Sequence, residues 1–245
     1  MKTLVIIPSR LSATRLPGKP LLKIKGLSMI SHVFKKAEEA NIGEVFVATE
    51  DQEIVDDVQK NGGQAILTRD NHKTGTDRIY EGFKKLGKLD IELVMNLQGD
   101  EPLMDIEDIR NLHRQMIITK SQLGTLASKI IDDNFHGKEN VVKVITNESL
   151  DVSKFPEAIN FLRKTNISIS NIYHHLGIYC YRAETLKNFV SYSQSQNEIE
   201  NKLEQLRALD NNIKINVALA KKSPIGVDTN EDFVAIKKIM EYKPE

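Results

Sequence analysis

The chain has 245 residues, 40% of them hydrophobic and 28% charged, with a formal net charge of zero. That composition is ordinary for a soluble globular protein, leaves room for one large core or two modest ones, and offers no overall attraction to nucleic acid or an anionic membrane. A single cysteine, Cys180, excludes an intrachain disulfide and a CxxC metal knuckle.

Residues 3–8, TLVIIP, read as a buried strand. The run breaks at Ser9, too short for a signal peptide's apolar core or a bilayer span, so a cytoplasmic protein with no membrane segment is expected. Residues 29–41 carry Met29, Ile30, Val33, Phe34 and Ala37 at helical spacing. Strand 44–50, helix 52–62, strand 64–68, helix 74–86, strand 91–99 and a helix from Asp105 to about Met116 come next. Strand–helix–strand repetition with short connectors predicts an α/β fold, a mostly parallel sheet with right-handed crossovers and flanking helices. In such sheets ligands bind at the carboxyl ends of strands.

After Leu123 the pattern changes. TLASKI, NVVKVIT, AINFLR and HHLGIYCYR are strand-like and mostly lack intervening helices, which predicts an antiparallel or mixed extension over about residues 124–182 of a single 1–245 domain. Helices at 183–192 and 199–210, a strand at 214–220 and a last helix from about Asn230 complete the chain. The polar stretch QSQNEIEN, 194–201, reads as the most loop-like segment.

Chemistry is concentrated where strands end. Behind the first strand lies IPSRLSATRLPGKPLL, with Arg10, Arg15 and Lys19 among Ser9, Ser12, Thr14 and the Pro17-Gly18 turn. No acidic residue precedes Glu38. Such a loop supplies backbone N–H groups and positive charge for a phosphate chain. It matches neither the P-loop nor the GxGxxG pattern, and the plainer reading is a basic surface loop. Pro17 and Pro20 favour the first reading, because they stiffen a loop that presents one lysine.

NLQGDEP, residues 96–102, places Gln98 and Asp100 at the end of the fourth strand, where an aspartate suits Mg²⁺. The alternative for Asp100 or Asp105 is a helix cap. GVDTNED, residues 226–232, comes after another strand, but Thr229 with Asp232 has the form of a capping box, so Asp228 has two readings: helix start or metal ligand paired with Asp100. TGTDR, residues 74–78, offers Thr74 and Gly75 for close ligand approach and Arg78 for a carboxylate; local capping by Thr74, Thr76 or Asp77 is the other reading. Arg163, His174, His175, Tyr179 and Arg182 stand in the antiparallel region, and the two adjacent histidines face opposite sides of a strand, a poor metal pair.

Taken in order from Leu4 to about Ala235, the segments IPSRLSATRLPGKPLLKIKG, TGTDR, NLQGDEP, HLGIYCYR, LEQLRAL and GVDT together resemble the 3-deoxy-manno-octulosonate (Kdo) cytidylyltransferase family. The resemblance implies a nucleotide-diphospho-sugar-transferase, Rossmann-like fold. It also implies transfer of CMP from CTP to Kdo, giving CMP-Kdo and pyrophosphate for lipopolysaccharide synthesis, by a Mg²⁺-dependent cytoplasmic homodimer. On the matching positions it implies that Arg10, Arg15, Lys19, Thr74 and Gly75 bind the nucleotide and that Asp100 and Asp228 hold Mg²⁺. Arg78, Gln98, Arg163, His175 and Tyr179 would contact the sugar acid, and Lys19, Asp100 and Asp228 would carry catalysis. Leu162 stands where the family often has Ser, and Asn201 where it commonly has Glu. No side chain stands out as a general base. The rival readings are the same chemistry on another acid sugar and a nucleotide-binding regulator without turnover, against which the retained charged motifs argue.

Overall fold

The computed structural model describes residues 1–12, 15–130, 141–165 and 170–242; Thr14 of the first loop and Asn140 of NVVKVIT lie outside them. Two compact units result: residues 2–91 with 95–106 and 224–245, and Met1 with 92–94 and 107–223. The expected class, α/β with a mostly parallel mixed sheet, flanking helices and antiparallel strands, is the one present.

In the first unit β1 (Thr3–Ser9) is buried at every residue except Pro8, as a strand covered on both faces must be. A short 3₁₀ turn, Lys19–Leu21, leads to the two-residue strands β2 (Lys23–Ile24) and β3 (Leu27–Ser28). Helix α1 (Met29–Ala40) is capped by Ser28, whose side chain accepts from the Ser31 N–H, and stops at Asn41 with φ 50°. Strand β4 (Glu44–Thr49) pairs in parallel with β1, Leu4 opposite Glu44 through Ser9 opposite Thr49. After α2 (Gln52–Lys60), the short β5 (Ala65–Leu67) extends the sheet parallel to β4. Helix α3 (Gly75–Leu86) starts on Thr74 and ends at Gly87, φ 62°.

Strand β6 (Leu93–Asn96) opens in the second unit and closes in the first, where the Leu97 N–H donates to the Ile6 carbonyl. The second unit contains α4 (Ile106–Thr119) beyond its first residue, β7 (Leu123–Ser128), β8 (Lys143–Thr146), β9 (Ala158–Leu162) and β10 (Ile172–Arg182). It continues through α5 (Ala183–Ser191), α6 (Gln196–Asn201), α7 (Leu206–Asp210) and β11 (Ile215–Leu219). Strand β10 runs antiparallel to β7 and β8, β8 antiparallel to β9, and β11 parallel to β7. The chain returns to the first unit for α8 (Asn230–Glu241), capped reciprocally by Thr229 and Asp232. Among the described residues no helix is long and apolar enough to cross a membrane.

Two expectations need correction. The stretch 194–201 is not a loop: Ser195 and Glu198 form a capping box that starts α6 inside it. The single helix expected over 199–210 is two, because Lys202 takes φ 53° and ends the first. Between them Glu198 meets Arg207 in a buried bidentate pair, Nε to Oε2 2.7 Å and Nη2 to Oε1 2.6 Å, with the guanidinium 4.7 Å from the Phe189 ring centroid. The polar composition of the segment conceals this inward-facing charge.

The adjacent histidines divide as strand geometry requires. His174 is half-buried and bonds the Ser223 hydroxyl, while His175 is buried. His175 Nε2 lies 3.0 Å from Thr125 Oγ1, which also lies 2.7 Å from the Ile178 carbonyl. A carbonyl only accepts, so the Thr125 hydroxyl donates to Ile178 and accepts from His175. Burial pushes His175 down to about 3 and His174 to about 4.

Glu198→Ala should cost about 3–5 kcal/mol in denaturant unfolding, because it removes the carboxylate that balances the buried Arg207 guanidinium. His175 makes a second prediction. Its folded pKa lies below its unfolded value, so its contribution is intact above about pH 6.5 and fades as pH falls toward 3, by up to about 1.4 kcal/mol per pH unit. In His175→Gln, unfolding measured between pH 6.5 and 4 should show a shallower fall than in wild type.

Candidate active site

The first loop is built to hold Lys19 still. Gly18 sits at φ 72°, a left-handed turn that favours glycine, and its N–H donates to the Leu11 carbonyl at 3.0 Å. The Leu11 N–H in turn donates to Asp51 Oδ2 at 2.7 Å. Asp51 precedes α2 without capping it by its side chain, having been drawn to the loop instead. Pro20 is buried in the 3₁₀ turn behind the lysine.

Lys19 Nζ lies 2.6 Å from Asp100 Oδ2, 2.8 Å from the Val227 carbonyl and 3.3 Å from Asp228 Oδ1. An ammonium has three hydrogens, and three acceptors meet it. Arg15 Nη2 stands 2.9 Å from Asp228 Oδ2. Asp228 is therefore not the cap of α8; Thr229 is, and the Asp228 carboxylate is left to the cations. Around this cluster the first unit forms a cleft of about 310 Å³, walled by Arg10 and Arg15 of the first loop, His72 to Gly75, Gln98 to Asp100, and Asp228. Gly99 permits this closeness, since a Cβ there would come 3.0 Å from the Pro8 carbonyl oxygen.

The cleft thus brings together Arg10, Arg15, Lys19, Thr74, Gly75, Arg78, Gln98, Asp100 and Asp228. Thr74 is the cap of α3, accepting from the Asp77 N–H at 3.2 Å while its hydroxyl donates to Asp77 Oδ2 at 3.0 Å. Arg78 differs from expectation. Its buried guanidinium pairs with Glu50, donates to Thr68 Oγ1 at 2.7 Å and reaches the Arg69 carbonyl at 3.3 Å, so the carboxylate it meets is internal.

Sequence reasoning missed Glu50, His72 and Glu101. Glu101 Oε2 is buried without a hydrogen-bond partner, and burial, then the charges of Asp100 and Asp228, push its carboxyl up to about 8. The position was legible beside Asp100; its raised carboxyl was not, because that depends first on burial and then on the charges of Asp100 and of Asp228, far away in sequence.

Arg163, His175 and Tyr179 fall in the second unit. Arg163 donates from Nε to the Asn201 carbonyl at 2.9 Å and from Nη2 to the Lys202 carbonyl at 2.8 Å. The rings of His175 and Tyr179 stand 5.5 Å apart. A register shift between Leu176 and Tyr179 sets these two opposite Ala127 and Thr125, which are two residues apart, although they themselves are four apart.

Two carboxylates that share one cation form a hard-oxygen donor pair, and their chemistry fits Mg²⁺. Among the described residues no group of three or more His, Cys, Asp or Glu side chains is placed to hold a metal.

Residues 4–215 match the family described as cytidylyltransferase. Over 243 residues, 98% of each chain, the protein is 42% identical to a 3-deoxy-manno-octulosonate cytidylyltransferase of Rhodopseudomonas palustris. To the protein of the same name from Bartonella tribocorum it is 38% identical over 242 residues, 98% of this chain and 99% of that one. The solved structure of CMP:2-keto-3-deoxy-manno-octonic acid synthetase complexed with CTP is similar at a TM-score of 0.89 and 34% identity, covering 98% of each chain. With that likeness over nearly its whole length, the chain belongs to the 3-deoxy-manno-octulosonate cytidylyltransferase family and has its nucleotidyltransferase fold.

Proposed function

We propose that this chain transfers CMP from CTP to 3-deoxy-manno-octulosonate, releasing pyrophosphate. The observation that carries the reading is the Lys19 ammonium between Asp100 and Asp228, on a cleft also walled by Arg10 and Arg15. A triphosphate needs several fixed cations, and a metal that accompanies it needs hard oxygen ligands; here the two sets stand side by side.

In the reaction the sugar's anomeric hydroxyl oxygen bonds to the α-phosphorus of CTP as the bond to the bridging β-phosphate oxygen breaks. The hydroxyl proton passes to solvent and pyrophosphate departs. Catalysis of this kind is positioning and neutralisation of growing charge. Arg10 and Arg15 bind the outer phosphates, and Lys19 turns from its aspartates to a phosphate oxygen near the reacting centre. Asp100 and Asp228 would hold Mg²⁺, which when bound supplies Lewis-acid polarisation of the phosphate. Backbone N–H groups of the Thr74–Gly75 helix start face the nucleotide, and Gln98 faces the sugar. For Arg163, His175 and Tyr179 a sugar-binding role rests on the family resemblance. From the family we also infer a cytoplasmic homodimer that feeds lipopolysaccharide synthesis.

Pyrophosphate release should require CTP, Mg²⁺ and Kdo together, and a panel of acid sugars should favour Kdo. Equal turnover of a sialic acid would move the reading to that substrate, and comparable turnover with ATP would remove CTP from it. Lys19→Ala should lose one charge-assisted phosphate contact, roughly 1.5–3 kcal/mol, or one to two decades of kcat. Asp100→Asn and Asp228→Asn should each abolish most activity with little change in Tm, and the double variant should be hardly worse than either. Full activity in Asp228→Asn would remove that residue from the metal site and leave it an ion-pair partner of Lys19 and Arg15.

A further inference from the structure

Between Leu67, where β5 ends, and Thr74, which caps α3, the chain makes the loop that supplies His72, Lys73 and Thr74 to the cleft. Its last rung on the sheet is the Thr68 N–H to the Thr49 carbonyl at 2.7 Å. A strand of three residues gives little hold on the loop behind it. The next contacts run to one carboxylate on α3. Glu81 accepts from the Arg69 backbone N–H at 3.2 Å, from Arg69 Nε at 3.1 Å, from His72 Nε2 at 2.5 Å and from Lys85 Nζ at 2.9 Å.

These contacts differ in weight. The Arg69 and Lys85 side chains are 69% and 49% exposed, so their charges are screened by water. The Glu81 and His72 side chains are only 11% and 8% exposed, and a charge-assisted bond sheltered to that degree is the strong kind. Burial alone would raise the Glu81 carboxyl; the hydrogen bonds from Lys85, His72 and Arg69 outweigh it and bring it down to about 2. One helical turn earlier, Arg78 takes hold of the start of the loop through Thr68 Oγ1 and the Arg69 carbonyl. Helix α3 thus grips the beginning of the loop with a cation and its middle with an anion.

We propose that Glu81 is a positioning residue for the nucleotide, fixing His72 and through it the pose of the 72–75 segment that lines the cleft. The inference rests on the cytidylyltransferase reading, since it assigns that segment to CTP. Glu81 does not itself line the cleft, and the 72–75 segment it holds faces the nucleotide in the proposed reaction without a group assigned to the reacting phosphate, so its loss is expected to weaken nucleotide binding more than the chemical step.

The test compares Glu81→Ala, the isosteric Glu81→Gln, His72→Ala and the Glu81→Ala/His72→Ala double variant with wild type, at a temperature where thermal melts show each one folded. The readouts are CTP Kd by calorimetry without sugar, KM for CTP, KM for Kdo and kcat. Glu81→Ala is expected to raise both CTP constants about tenfold or more, with kcat and the Kdo KM within about threefold. Glu81→Gln should lie between it and wild type. Because the two residues act as one unit, the double variant should be no worse than the worse single variant. Unchanged CTP Kd and KM in folded Glu81→Ala, or in Glu81→Gln should the alanine variant fail to fold, would reduce Glu81 to a stabilising residue. Multiplying effects in the double variant would break the link through His72. Wild type that bound CTP but made no CMP-Kdo would overturn the proposed reaction, and the calorimetric comparison would still decide the role of Glu81.

Discussion

The carboxyl edge of the first unit depends on a charge balance around one ammonium group. Asp100 and Asp228 both approach Lys19 Nζ, at 2.6 and 3.3 Å, from segments 81 and 209 residues away from it. Two carboxylates within about 4 Å of each other would repel by roughly 4 kcal/mol at an effective dielectric of 20, so their convergence needs a positive charge between them. Lys19 provides it, and Arg15 adds a second cation on the outer oxygen of Asp228. The neighbouring Glu101 obeys the same constraint by another route: with a carboxyl pushed up to about 8, it is mostly protonated at neutral pH and adds little to the negative charge. A ligand that brings its own cation and its own anionic oxygens exchanges partners within this balance without upsetting it.

Rigid backbone makes that balance possible. Gly18 in a left-handed turn, Pro20 packed behind it and Asp51 anchoring Leu11 fix the base of a long, otherwise mobile lysine side chain. Across the cleft, Gly99 passes so close to Pro8 that a side chain there would push the two segments apart. Beneath the cleft a small cluster formed by Ile24, Met29, Val227 and Ile236, with Leu16, Leu103 and Phe233 against it, packs α8 and the first loop into one body. The segment carrying Asp228 is thereby tied to the segment carrying Lys19 through apolar burial as well as charge.

Periodicity exposed most of the elements, because β1, β4 and β6 are continuous apolar runs and α1, α2 and α3 carry clean stripes. It failed at residues 194–201, where the signal was a cap, Ser195 with Glu198, in a segment without an apolar stripe. The cleft residues were legible for a related reason: a charged or small residue directly after a buried strand has nowhere to go but the sheet edge. Partner choice was not legible. Arg78 finds Glu50 and Thr68, Glu101 feels Asp228, and Glu81 collects Arg69 and His72, all through folding-back that no local pattern encodes.

Helix starts around the cleft obey one rule, and it explains why the carboxylates there are available. Each of α1, α3 and α8 has a hydroxyl as its cap: Ser28, Thr74 and Thr229. Asp and Asn cap as well as Ser, so aspartates beside these starts could have been consumed by the backbone. Asp228 stands immediately before Thr229 and escapes that fate, because Asp232 reaches back to the Thr229 and Asp228 N–H groups at 2.9 and 3.1 Å. Asp51 escapes it as well, and spends its carboxylate on the first loop. Hydroxyl caps and first-turn acids, Asp77 in α3 and Glu231 and Asp232 in α8, satisfy and offset the positive ends of those helices from within. What remains at the cleft are two carboxylates, Asp100 and Asp228, that the helix starts do not consume and that meet the cations Lys19 and Arg15 instead.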